Sequence, residues 1–139
     1  MNRSLLLLLG GLVLTVAPPV PAADRMPPGQ YEMVTTADGK SETDSVCQTP
    51  EMAKIANGDA KSGREEKQKT LDRFGKGRCT VKAYDITGNT VSATIVCGKG
   101  VVTTNTTYHG DTSESEVTTT DSGKTTSVHV KAKRVGACK

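Results

Sequence analysis

With 139 residues, the chain is long enough for one domain of ordinary size. It has 18 Lys and Arg against 15 Asp and Glu, a formal net charge of +3, and its aromatic residues are one Phe and three Tyr. A small, mixed charge does not favour a polyanionic partner, and so few aromatic side chains offer little for single-stranded bases to stack on. We therefore expect no nucleic-acid partner.

Residues 1–22 have the pattern of a secretory signal peptide. Arg3 supplies a positive charge, and the apolar run 5–14 that follows is shorter than the about 20 residues needed to span a bilayer. The small residues at 20–23 predict cleavage after Ala22; a retained membrane anchor is the alternative. The mature chain, residues 23–139, is thus expected to be periplasmic or secreted, with no stable membrane span after cleavage.

Two elements are predicted in the first half of the mature chain. Residues 30–36 alternate in polarity, which indicates a strand. The sequence Thr49-Pro50-Glu51 is typical of a helix start, with a capping hydroxyl, a proline in the first turn and an acid near the positive end of the helix dipole. Residues 57–77 are mostly charged, and they are predicted to be either a helical extension or a mobile loop inserted in the domain.

After residue 77 the sequence becomes rich in Thr and Val, interrupted by Gly, Asn and Asp. This pattern predicts short strands near 78–86, 90–98, 100–109, 112–120 and 124–134. The expected fold class is mainly β (α+β): an antiparallel β-meander of about six strands, strongly curved or barrel-like, with one short helix and two disulfides.

The cysteines of an exported chain are expected to form disulfides, because oxidising compartments permit them. A hairpin with a three-residue loop at 87–89 would place these residues opposite each other: Cys79 and Cys97, Val81 and Ile95, Ala83 and Ala93, Asp85 and Val91. This register puts most of the apolar side chains on one face and brings Cys79 and Cys97 together.

Elimination then pairs Cys47 with Cys138. The rival interpretation is a metal or redox site, but the cysteine spacing contains no CxxC motif of a zinc ribbon or a thioredoxin. The site residues expected from the sequence are therefore these four disulfide cysteines.

Several short motifs occur together in the mature chain. They are Pro28-Gly29-Gln30-Tyr31-Glu32, Cys47-Gln48-Thr49-Pro50-Glu51, Tyr108-His109-Gly110-Asp111 and Val135-Gly136-Ala137-Cys138. In this combination the chain resembles the domain of unknown function 3617 family, whose members are small exported proteins, largely bacterial. The resemblance implies compartment and fold, and it supplies no activity and no catalytic residue.

The two histidines are the main candidates for catalysis or metal binding. His109 lies with Asp111 at a predicted turn, and His129 is interpreted as an exposed strand residue. Two histidines and a carboxylate could bind zinc, but the HExxH-type spacing is missing, as are a nucleophile elbow and a phosphate-binding loop. We expect no catalytic residue, no metal ligand and no cofactor.

Three functions remain in consideration. The favoured one is a non-catalytic periplasmic binding or structural module, which contacts a protein or a cell-envelope component through a sheet face or through 57–77. The second is a carrier of a small apolar ligand inside the curved sheet, which requires a cavity lined by Val, Ile and Tyr. The third is a small hydrolase or metal enzyme, which requires His109 and Asp111 to converge in a concave site.

Overall fold

The computed structural model describes residues 24–139, which form one antiparallel sheet of seven strands and two helices. The predicted signal peptide and its cleavage site lie outside the described residues. The helices are α1 (Pro50–Asn57) and α2 (Ala60–Gly75). The strands are β1 (Gly29–Ala37), β2 (Lys40–Gln48), β3 (Cys79–Thr87), β4 (Thr90–Cys97), β5 (Gly100–His109), β6 (Thr112–Asp121) and β7 (Lys124–Gly136). Their order across the sheet is β2-β1-β7-β6-β5-β4-β3.

The sheet is open, because β2 forms one edge and β3 forms the other. Strands β3 to β7 make the predicted meander, and the hairpin of β1 and β2 is added beyond β7. The mainly β, antiparallel architecture is thus confirmed. The expectation of about six strands in a barrel-like sheet with a single helix was wrong. The sheet does not close, because β2 pairs only with β1 and β3 pairs only with β4.

The strand that the sequence pattern missed is β2. Residues 40–45 of this strand are all exposed, so the alternation that marks a half-buried strand is absent. Pairing with β1 holds the strand instead, across a two-residue turn at Asp38 and Gly39. Both residues have positive φ, 49° and 74°, as a type I′ hairpin turn requires.

The β3–β4 hairpin departs from the predicted register halfway along. Cys79 lies opposite Cys97 and Val81 opposite Ile95, as expected, but a bulge follows Val81 and the connecting loop has two residues. The pairs beyond the bulge are therefore Tyr84 with Ala93 and Ile86 with Val91; the predicted pairs of Ala83 with Ala93 and Asp85 with Val91 were wrong. The extra residue turns a Tyr and an Ile toward the core in place of an Ala and an Asp, which buries far more apolar area.

Helix α2 occupies most of the charged segment 57–77, so the helical alternative is confirmed. It lies along the edge of β3 and satisfies backbone groups that an edge strand would leave unpaired. The Gln68 amide donates to the Cys79 carbonyl at 3.0 Å and accepts from the Val81 N–H at 2.8 Å. The Arg64 guanidinium donates to the Val81 carbonyl at 3.0 Å.

The main core lies between the helices and the β3–β4 end of the sheet. Its buried residues are Val81, Tyr84, Val91, Ala93 and Ile95. Ile55 of α1 and Leu71 of α2 pack against this cluster. Both helices therefore cover the same face of the sheet.

Two disulfides fasten the ends of this architecture. Cys79 and Cys97 join β3 to β4, with 4.1 Å between their Cα atoms. Cys47 at the end of β2 joins Cys138 beyond β7, with 5.4 Å between the Cα atoms. These are the pairs expected from the hairpin register and from elimination.

Candidate ligand-binding groove

A groove of about 610 Å³ opens between the two helices and the sheet. We call it the interface groove. Its larger apolar side chains are Met26, Met52, Ile55, Phe74 and Tyr108. Its charged side chains are Lys54, Lys67, Lys69, Arg73, Glu51 and Glu66. Four basic groups against two acidic ones leave the walls with a net charge of +2.

A second cavity of about 100 Å³ adjoins the interface groove. It shares Met26, Gln48 and Tyr108 with the groove and extends over the sheet as far as Tyr31 and Ala132. The groove and this smaller cavity thus adjoin each other on one sheet face.

The first wall of the groove, α1, is fixed at both ends by side chains. The Thr49 hydroxyl accepts from the Met52 N–H at 3.3 Å, and Pro50 follows in the first turn, as the sequence predicts. At the other end the Arg25 guanidinium donates to the carbonyls of Ala56 and Gly58, at 3.0 and 3.2 Å. A cation at the C-terminal end of a helix is favourable, because the unpaired carbonyls there carry partial negative charge.

Met26 enters the groove because the chain before β1 is tied to α1. The Met26 N–H donates to the Asn57 side-chain oxygen at 2.7 Å, and the Asn57 amide donates back to the Met26 carbonyl at 2.9 Å. These contacts join residues 31 positions apart. No local pattern in the sequence indicates them, so the roles of Arg25 and Met26 could not be predicted.

All three tyrosines lie on the sheet face that the helices cover. The Tyr31 hydroxyl donates to the Pro27 carbonyl at 2.7 Å, and the Tyr84 hydroxyl donates to the Ile55 carbonyl. Tyr108 differs, because its hydroxyl makes no hydrogen bond to any of residues 24–139. Burial, with a smaller contribution from nearby Tyr84, raises the pKa of Tyr108 to about 12. At neutral pH this wall of the groove therefore presents a neutral phenol.

Lys67 lies on the stripe of α2 that faces inward. Residues 63, 67 and 71 are four positions apart and so share one side of a helix. Gly63 is buried against Tyr84, and Leu71 packs on the core, which places Lys67 between two inward-facing residues. Burial lowers the pKa of the Lys67 ammonium.

The Lys67 ammonium forms no salt bridge with any group in the described part of the chain. Its neighbour Glu66 is engaged elsewhere, with Oε1 at 2.7 Å from the Lys69 ammonium. The groove therefore contains a partly desolvated cation without a counter-ion among residues 24–139.

The opposite face of the sheet has a more open depression of about 430 Å³. His109 contributes to its lining, as do Glu114 and Lys131, whose charged groups are 3.5 Å apart. Asp111 is not part of this lining; its backbone carbonyl accepts from the Arg134 N–H at 2.7 Å. The structure thus does not bring His109 and Asp111 into one concave site.

The other histidine, His129, is exposed on β7 opposite Glu116. Within residues 24–139, no group of three or more His, Cys, Asp or Glu side chains is arranged to hold a metal ion. The cysteines predicted as site residues are all in disulfides. The groove residues Met52, Lys67, Phe74 and Tyr108 were missed, although the spacing of 63, 67 and 71 could have indicated the inner side of α2.

Comparison with known proteins identifies a family. A family model described as "Protein of unknown function (DUF3617)" matches residues 26–138, so the resemblance noted in the sequence is confirmed. No curated protein and no solved structure matches the chain. Neither helix in the described range 24–139 is long and apolar enough to cross a bilayer.

Proposed function

We propose that this chain, which belongs to the DUF3617 family, is an exported, non-catalytic binding module that holds a small amphipathic molecule in the interface groove. The groove itself carries the proposal. Its volume of about 610 Å³ falls among the clefts of about 300–1,000 Å³ that hold small molecules. Its walls combine Met, Ile, Phe and Tyr side chains with polar and charged groups that can orient a ligand.

Two exposed apolar side chains at the groove support the proposal. Phe74 is 77% exposed and Met52 is 46% exposed, and both line the groove. Apolar side chains beside a concave surface and surrounded by charged residues are typical of a binding site. A ligand in the groove would cover apolar area that water now contacts.

The groove fits two of the three functions that the sequence suggested better than the third. It includes part of segment 57–77, which, with a sheet face, was one of the two surfaces expected to contact a partner. It lies between the helices and the sheet, so it does not depend on the barrel-like closure that a carrier inside the sheet would need. The enzyme hypothesis gains no support, because His109 and Asp111 do not line a common cavity.

The two disulfides support an oxidising compartment for this module. A periplasmic or secreted protein would meet amphipathic molecules of the cell envelope there. A cell-envelope component is therefore the partner that we favour.

Binding of a neutral apolar dye tests the proposal. N-phenyl-1-naphthylamine becomes fluorescent in apolar surroundings, and the protein has no Trp to interfere. We expect saturable binding of one dye per chain to the disulfide-bonded protein. Replacing Phe74 and Met52 together by Ser should weaken the affinity about tenfold, or ~1.4 kcal/mol, because apolar contacts in the groove are lost.

The matched control is Val135→Ser. Val135 is 57% exposed and does not line the groove, so this variant should bind the dye as the unmodified protein does. The three positions are exposed enough that none of the changes should unfold the domain. Absence of saturable dye binding, or an equal loss in the control, would contradict the proposal.

A further inference from the structure

We infer that the ligand of the interface groove is an anionic amphiphile, whose negatively charged head group pairs with Lys67 while its apolar part lies against Met52 and Phe74. This inference rests on the proposed function and names the chemistry of its ligand. The head group can be a carboxylate or a phosphate, since either supplies the charge.

The position of Lys67 is the first argument. An inward-facing helix position between Gly63 and Leu71 is normally filled by an apolar residue. A cation there loses hydration, which costs free energy unless an opposite charge compensates. No such charge comes from residues 24–139, since Glu66 is paired with Lys69. A bound anion would supply it and would gain charge-assisted hydrogen bonds in a partly dehydrated setting.

The charge of the groove is the second argument. Beyond Lys67, its lining includes Lys54, Lys69 and Arg73 against Glu51 and Glu66. The walls thus attract an anion as it approaches, whereas a cation would meet net repulsion. The neutral hydroxyl of Tyr108 adds a group that can donate to an oxyanion.

The apolar lining is the third argument. Small free anions need no apolar wall, but Met52 and Phe74 lie in the same groove as Lys67. Met52 is unbranched and flexible, and Phe74 has a flat aromatic ring, so both can pack against an alkyl chain. Charge and apolar surface together favour an amphiphile over an inorganic anion.

Displacement of N-phenyl-1-naphthylamine by alkyl compounds of equal length tests this inference. The probes are decanoate, decyl phosphate and decanol, all below their micellar concentrations, with acetate as the anion that lacks a chain. We expect decanoate or decyl phosphate to displace the dye at a concentration about tenfold lower than decanol, and acetate not to displace it. Comparing the two anions distinguishes a fatty-acid-like from a phospholipid-like source.

Variants of α2 test whether Lys67 is the residue that recognises the negative charge of the ligand. Lys67→Gln should remove the preference for the anions while dye binding persists, and Lys67→Arg should keep the preference. Lys61→Gln is the matched control, because Lys61 is an exposed residue of the same helix and does not line the groove. Equal displacement by decanoate and decanol, or an unchanged preference in Lys67→Gln, would overturn the inference. If the unmodified protein binds the dye but shows one of these two results, only the inference about the anionic ligand is overturned, and the proposed function stands. If the unmodified protein does not bind the dye, both the proposed function and the inference are refuted.

Discussion

Gly63 of α2 lies so close to the ring of Tyr84 that a β-carbon on residue 63 would come within 2.6 Å of the Tyr84 Cε1 atom. The hydroxyl of the same tyrosine donates to the carbonyl of Ile55 in α1. One sheet residue therefore sets the distance of both helices from the sheet. Because the groove lies between these layers, its shape depends on this contact.

Gly63→Ala should destabilise the protein by about 1–3 kcal/mol, because the added methyl must displace the buried ring or the helix. In an unobstructed helix the same change would stabilise by up to about 1 kcal/mol. Urea unfolding of both proteins measures the difference. Gly75→Ala is the control in the same helix, since its nearest atom would be the Cys79 Sγ at an ordinary 3.6 Å. Equal destabilisation by both changes would contradict the role of Gly63.

Lys67→Met should stabilise the protein without ligand. Burial lowers the pKa of Lys67, which means that the charged ammonium is less stable in the folded protein than in the unfolded chain. At neutral pH this difference reduces the free energy of unfolding. Folding a methionine at this position carries no such cost, and we expect a gain of about 1 kcal/mol, measured as a higher unfolding midpoint. The gain in stability should shrink above a pH of about 10.4, the pKa of lysine in the unfolded chain, because the lysine is then neutral in the folded and in the unfolded state. A lower midpoint at neutral pH would show that the ammonium contributes to stability.

Tyr108→Phe should make the protein less sensitive to alkaline pH. The pKa of Tyr108 is raised to about 12 in the folded protein, against about 10 in the unfolded chain. Its stabilising contribution is therefore complete below pH 10 and is lost as the pH rises through 10 toward 12. Unfolding free energies measured at increasing pH should fall more steeply for the unmodified protein, by up to about 1.4 kcal/mol per pH unit. Tyr31 and Tyr84 are present in both proteins, so parallel curves would contradict the assignment to Tyr108.

The two disulfides should differ in their effect on global stability. Cys47 and Cys138 are 91 positions apart, whereas Cys79 and Cys97 are 18 apart within one hairpin. Loop-closure entropy gives about 4–5 kcal/mol for the long link and about 3 kcal/mol for the short one. Replacing Cys47 and Cys138 by Ser should thus lower the thermal midpoint more than replacing Cys79 and Cys97. The reverse order would show that the hairpin link restrains more of the unfolded chain than its length indicates.

Local patterns in the sequence were sufficient for much of the fold. The meander strands after residue 78 end within two residues of their predicted bounds. The start of α1 at Thr49 and Pro50 follows from capping chemistry between near neighbours. The Cys79–Cys97 pair was expected from a three-residue loop; the observed loop has two residues, and the bulge after Val81 restores the expected register at Cys79 and Cys97. For the strand bounds and the start of α1, the deciding interactions join residues close together along the chain or across one turn.

The tertiary structure decided the rest. The bulge after Val81 depends on burying Tyr84 beneath α1 and α2, which the hairpin sequence alone does not reveal. Strand β2 has no buried side of its own over residues 40–45 and is held by its pairing with β1.

The groove could not be predicted from the sequence either, because it also depends on contacts between residues that are far apart along the chain. Arg25 bonds to residues 31 to 63 positions away, and Lys67 becomes a candidate ligand contact only when the packing of Gly63 and Leu71 turns it inward. The sequence by itself thus determined elements and their nearest pairings. Folding alone brought distant side chains together around a cavity, because packing between layers depends on the whole chain.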